Sequence, residues 1–191
     1  MRSLCFPAAR IALDTEGSQL LEFAVALPLL VVFIVGIFDF GNAFDLKQKL
    51  NNAARDGARL GASLPTSDLT VTTPPSVDAI HTLIANYLNS EQINDCGLAG
   101  NGAVAQGNLT WTFTASGNGC PSGAQLTLTV ARGYSFPVTI NGNVVHVLST
   151  HVTISYPYKW QFNNVITLLV PGANYAGVTQ ISTDAIVPNQ D

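Results

Sequence analysis

From Leu20 to Phe38 the chain runs through 19 residues whose one charge is Glu22. As a helix this run would be about 28 Å long, close to the ~30 Å hydrocarbon core of a bilayer. Extending it to Phe44 adds Asp39, and no second run of this length follows. A carboxylate near the edge of a membrane span is costly, at roughly the 2.5–3.5 kcal/mol of insertion scales, so it calls for a partner. Glu22 lies five residues after Gly17, behind a short polar leader. Two readings fit. A peptidase cuts after Gly17, so that Ser18 starts the mature chain and Glu22 becomes its fifth residue. Alternatively, the run is an ordinary signal anchor whose Glu22 snorkels to the headgroups. Cleavage as a secretory signal fits less well, because the apolar region is too long and no clean small-x-small site follows it.

Charged residues make up 10% of the 191, against about 25% in an average soluble protein. Net charge is −4 and the Lys and Arg residues form no cluster, which argues against a nucleic-acid partner. Orientation is read from architecture: a leader, one anchor, and a Thr/Asn/Gly-rich domain of extracytoplasmic character. Counting Lys and Arg alone opposes a cytoplasmic N-terminus, since Lys47, Lys49, Arg55 and Arg59 outnumber Arg2 and Arg10. With Cys5 in the leader, Cys96 and Cys120 are the pair left in the domain, both in Gly/Asn-rich loop sequence. In an exported domain an even count favours a disulfide; in a reducing compartment the two would be free thiols.

The helical pattern continues beyond the span. Leu46, Leu50, Ala53/Ala54, Gly57, Leu60/Gly61 and Leu64 recur at three- and four-residue steps until Pro65. Ala53, Gly57 and Gly61 form a small-residue stripe that admits another backbone closely, either a neighbouring subunit's helix or the protein's own sheet. Arg55 and Arg59 mark the solvated side. A second helix is predicted over 76–90, with Ser76 as N-cap. Alternation predicts strands at 109–116, 126–130 and 144–156, with an edge strand over 177–188. On the third strand Val144, His146, Leu148, Val152, Ile154 and Tyr156 share one apolar face. The expected fold is α+β: a long N-terminal helix and a second helix packed on a small antiparallel sheet of three to five strands. The expected divisions are a leader (1–17), a transmembrane helix (18–44), a soluble helical extension (45–64) and an extracytoplasmic domain (65–191).

The string Gly17-Ser-Gln-Leu-Leu-Glu22-Phe23-Ala-Val-Ala-Leu-Pro28, followed by Gly36-Ile-Phe-Asp39-Phe40-Gly41, resembles the N-terminus of TadE-like proteins, pseudopilins of the tight-adherence (Flp, type IVc) pilus system. Ala53-Ala-Arg55-Asp-Gly57-Ala-Arg59 is similar to the helix that follows in that family, and Val152-Thr-Ile-Ser-Tyr156-Pro157-Tyr158 to its C-terminal strand. The resemblance implies a pilin-like subunit of the bacterial inner membrane. A prepilin peptidase would cut between Gly17 and Ser18. Glu22, beside Phe23, would pair with the N-terminal ammonium of a neighbouring subunit. It implies other pilin or pseudopilin subunits and a pilus assembly platform as partners, in pilus biogenesis and surface adhesion. The length implies a minor subunit, and the absence of an Asp-x-Ser-x-Ser motif points away from the family's larger, metal-binding relatives. The rival reading is a membrane-anchored binding or adhesion module that never polymerises.

No nucleophile elbow, phosphate loop, Cys-x-x-Cys or His-Glu-x-x-His is present. His146 reads as a core histidine, and His151 has the opposite parity on the same strand, so the two cannot chelate together. Trp111 and Trp160 read as core or interface residues. No cofactor, metal site or catalytic constellation is expected.

Overall fold

The computed structural model describes residues 15–117, 119–121, 123–162, 166–167, 172 and 177–190, with side chains described from Gln19 onward. Most of the expected leader, including Cys5, lies outside the described residues. Helix α1 spans Thr15–Ser63 and contains Pro28. Helix α2 spans Pro75–Ser90, and a short 3₁₀ turn follows at Leu98–Gly100. The strands are β1 Val104–Gly107, β2 Thr110–Ala115, β3 Leu126–Ile140, β4 Asn143–Lys159 and β5 Val178–Pro188. They form one antiparallel sheet in the order β1-β2-β3-β4-β5. This is the expected α+β arrangement.

Alternation along the strands builds the core in rows. Trp111 pairs with Val130, which pairs with Val152; Phe113, Leu128 and Ile154 form the next row. All six are buried on the sheet's inner face. Leu50, Ala53, Ala54 and Ala58 of α1, and Val77, Ile80, Ile84 and Leu88 of α2, close over them. Thr112, Thr114, Thr127, Thr129 and Thr153 have the opposite parity and form the wetter face. The second half of α1 therefore belongs to the core of the domain that follows it, rather than standing apart from it.

Four local features differ from the sequence reading. Ser76 is not the cap of α2. Pro74 holds that position, Pro75 opens the helix, and Ser76 instead donates its N–H and hydroxyl to the Asp68 carboxylate, at 2.8 and 3.0 Å. A proline at the first helical position has its ring pre-set for the helix and no N–H to orphan. The short strand β1, which the sequence did not announce, joins β2 through Asn108-Leu109, both at positive φ (50° and 53°).

The third difference is the reach of β3 and β4. They continue past the ends of β2 and β5 as a two-stranded ribbon, closed by Asn141-Gly142 at φ 51° and 81°, a turn whose twist suits a hairpin. Val144, His146 and Leu148 share parity with Val152 and Ile154 as expected, but they lie on this ribbon and are exposed. His146 is thus no core histidine; its Nδ1 shares a hydrogen bond of 2.9 Å with the Ser135 hydroxyl.

The fourth difference is that the buried histidine is His81 on α2. Its ring stacks on Phe113 at 4.2 Å and 3°, and its Nε2 lies 2.8 Å from the Leu98 carbonyl. The C-terminal end of α1 is finished by tertiary partners. The fully buried Arg132 donates from Nη2 to Leu64 O at 2.8 Å, and Gln190 N–H donates to Ala62 O at 2.9 Å. A guanidinium there meets the negative end of the helix dipole.

Candidate functional site

The two halves of α1 differ in what touches them. Between Gln19 and Phe38 nearly every side chain is exposed, Leu20 at 72% and Phe33 at 64% among them, and the stretch is apolar enough to cross a membrane. Burial begins at Asp39, Ala43 and Leu50. Glu22 is exposed near the start of this bare half, with Leu21, Val25, Ala26 and Leu29 lining a shallow groove of about 550 Å³ around it. Phe23, the residue after it, is also exposed. Gly17 and Ser18 lie within the helical range of α1.

The small-residue stripe meets elements of its own chain. A Cβ at Gly57 would stand 2.9 Å from Ile84 Cδ1, and one at Gly61 would stand 2.6 Å from Thr150 Cγ2 and 2.8 Å from Ile80 Cδ1. Ala53 is fully buried in the same cluster. Gly57 and Gly61 therefore let α2 and β4 approach the α1 backbone more closely than any side chain would allow. Arg55 and Arg59 face solvent.

Where the bare half ends, the carboxylate of Asp39 is 3% exposed and fully engaged. The Tyr158 hydroxyl donates to Oδ1 at 2.6 Å and the Phe162 backbone N–H to Oδ2 at 2.8 Å. Burial, followed by the hydrogen bond and charge of Asp39, raises the Tyr158 pKa well above the usual tyrosine range. Around this pair Trp160 packs on Phe40 at 5.2 Å and, edge-on, on Tyr158 at 5.0 Å. A helix residue at 39 is thus bound to the end of β4, 119 positions later in the chain, a pairing without a sequence signature.

Cys96 and Cys120 face each other with Cα atoms 5.2 Å apart, inside the 4.4–6.8 Å range a disulfide requires. Cys120 borders a groove of about 560 Å³ between α1, the α2 C-terminus and β4, lined by Asp45, Lys49, Glu91, Asn94, Tyr156 and Lys159 among others. Lys49 bridges Asp45 at 3.3 Å and Glu91 at 3.4 Å, and those two contacts raise its pKa. The groove lining holds no histidine or serine, and among the described residues no group of three or more His, Cys, Asp or Glu could hold a metal. His151 pairs with Asp184 at 3.2 Å rather than with His146.

These features define a class: an α+β domain built on the second half of a helix whose first half is able to span a membrane. Residues 17–59 match the family model of TadE-like protein, so this N-terminal helix is TadE-like. The match covers nearly all of α1 and supports membership of the tight-adherence pilus system, whose TadE-like family is not one of enzymes. No curated protein and no solved structure matches the chain.

Proposed function

We propose that the protein is a minor pilin or pseudopilin of a tight-adherence pilus system, processed after Gly17 and assembled through its N-terminal helix to support pilus biogenesis and surface adhesion. The observation that carries this reading is the division of α1. Its first half offers an apolar surface with one carboxylate, and its second half is the backbone of the domain core, so packing of the first half with other helices would place the domain directly. In the membrane of a bacterial cell the bare half spans the inner bilayer, with residue 17 on the cytoplasmic side and the sheet outside. Cleavage by a prepilin peptidase exposes an ammonium at Ser18. Glu22 of one subunit then faces that ammonium on another, with Phe23 beside it, which removes a lone charge from lipid at the cost of desolvating both groups. Other pilin subunits and the assembly platform are the partners.

Mass spectrometry of the membrane-extracted N-terminus tests this reading. In cells holding the cognate peptidase the chain is expected to begin at Ser18, and Gly17→Ala is expected to retain the leader. A leader kept intact in the unaltered chain would replace this reading with that of a non-polymerising, membrane-anchored module.

The exported location also makes Cys96–Cys120 an oxidised pair. Closing a loop with a sequence separation of 24 restricts the unfolded chain by about 3.5 kcal/mol in the chain-entropy treatment. Cys96→Ser/Cys120→Ser is expected to lower the denaturant midpoint accordingly, as is reductant on the unaltered protein. Equal midpoints with and without reductant would show the thiols to be free.

A further inference from the structure

The bare half of α1 places the bilayer, and the end of the sheet reaches it. From Gln19 to Phe38 the helix is about 30 Å long, the thickness of the hydrocarbon core, so the membrane boundary falls at Asp39. Phe162 does not stop at that boundary. Its ring lies 3.6 Å from the position a Gly36 Cβ would take, about one helical turn inside the apolar run. With Val32, Phe33, Ile37 and Phe40 it borders an apolar groove of about 420 Å³ on the outer surface of the span. Trp160 stands one step further out, against Phe40 and Tyr158, with its indole N–H donated to Thr179 Oγ1 at 2.8 Å. From Trp160 to Thr183 the sequence carries no charged residue, while the exposed Lys47 and Lys159 lie just outside this level. Rings at the boundary and lysines beyond it are the arrangement favoured at a lipid headgroup layer.

We propose that this end of the sheet is a second membrane contact, in which Phe40, Trp160 and Phe162 enter the interfacial layer of a phospholipid bilayer and seat the domain on it. The occupant is lipid because the contact is continuous with the lipid-facing surface of the span. The proposal rests on the reading of α1 as a membrane span. Asp39 makes the contact tolerable: its carboxylate lies at the apolar boundary but is covered by Tyr158 and the Phe162 N–H, so no bare charge faces acyl chains. The domain then cannot swing freely about the span, because a strand end 120 residues further along the chain is held at the same membrane level.

The chain has two tryptophans, and the other, Trp111, is buried in the domain core at 4% exposure, donating to Thr72 O. The full chain would be reconstituted into phosphatidylcholine/phosphatidylglycerol vesicles containing phosphatidylcholine brominated near the headgroup end of its acyl chains, and tryptophan emission recorded. Trp160's share of the emission is expected to be quenched, leaving that of Trp111; Trp160→Phe should show no quenching. Trp111→Phe, with Trp160 as sole emitter, supplies the same answer independently and should be quenched almost completely. If the protein floats with vesicles after alkaline wash yet Trp160 emission is untouched by brominated lipid, the second contact does not exist and the anchor stands. Failure to float would remove the anchor and this inference together.

Discussion

Gly61→Leu is expected to lower the melting temperature of the protein by about 10 °C or more, or to prevent folding altogether. The added Cβ alone would stand 2.6 Å from Thr150 Cγ2 and 2.8 Å from Ile80 Cδ1. Thr150 is fully buried in the middle of β4 and Ile80 is fully buried on α2, so neither has room to retreat. Overpacking a well-filled core costs roughly 1–3 kcal/mol, and a leucine at a site with no space for one carbon belongs at or above the top of that range. At about 4 °C per kcal/mol for a domain of this size, the shift is large. Two companions calibrate it. Gly57→Ala would place its Cβ 2.9 Å from Ile84 Cδ1 and 3.3 Å from Ile80 Cγ2, both on fully buried residues, and is expected to cost less than Gly61→Leu because it adds a single carbon. Gly41→Ala meets nothing within 4 Å and should be neutral or stabilising by up to about 1 kcal/mol through helix propensity. Thermal unfolding followed by circular dichroism orders the three, and an unshifted Gly61→Leu would mean that α1 does not pack against β4 and α2 in this way.

Asp39→Ala is expected to cost about 3 kcal/mol and to loosen the junction between α1 and the end of β4. It removes the carboxylate from two donors, the Phe162 N–H and the Tyr158 hydroxyl, the latter keeping only the Asp39 carbonyl at 3.2 Å, and hydrogen bonds to a charged group contribute roughly 1.5–3 kcal/mol each. Tyr158→Phe removes one of the two bonds and should cost about half as much. Its pH signature separates it from a plain packing loss. Because the Tyr158 pKa is raised in the folded protein, the neutral phenol is the bound form, and its contribution is complete below the ordinary tyrosine value of about 10. That contribution is lost as pH climbs above 10 toward the raised value. Stability measured between pH 8 and 11.5 should therefore fall less steeply in Tyr158→Phe than in the unaltered protein. Parallel curves for the two would show that the hydroxyl is not held by Asp39. Hydrogen exchange at the Phe162 amide should also quicken in Asp39→Ala.

The elements with strong local signals were legible. The step-three-and-four apolar pattern from Leu46 to Leu64 gave the second half of α1, and its end at Ser63 before Pro65 matches the proline rule. The apolar face Val77, Ile80, Ile84 and Leu88 gave α2, and strict alternation gave β2 and the first part of β3. Ser76 misled because a serine before an apolar run looks like a cap whether or not its hydroxyl finds a distant Asp68. The β3 half of the ribbon beyond Tyr134 was missed, and its β4 half, read as a strand from Val144, was expected to face the core, because these strands are held by each other and leave Phe136, Ile140 and Val144 exposed. Arg132 and His81 look polar in sequence, and tertiary contacts such as those with Leu64 O and Leu98 O offset the cost of burying them.

Sequence alone determined the apolar run, the position of Glu22 five residues after Gly17, the extension of the same helix past that run, and the α+β class, because periodicity and hydropathy are properties of neighbouring residues. Tertiary structure alone decided what those elements meet. It set Gly57 and Gly61 against α2 and β4, buried Asp39 under Tyr158 and Phe162, and brought Trp160 to the level of the span's end. Those contacts join residues up to 123 positions apart, and their energy comes from close packing and from desolvated hydrogen bonds that exist only once the chain has closed on itself.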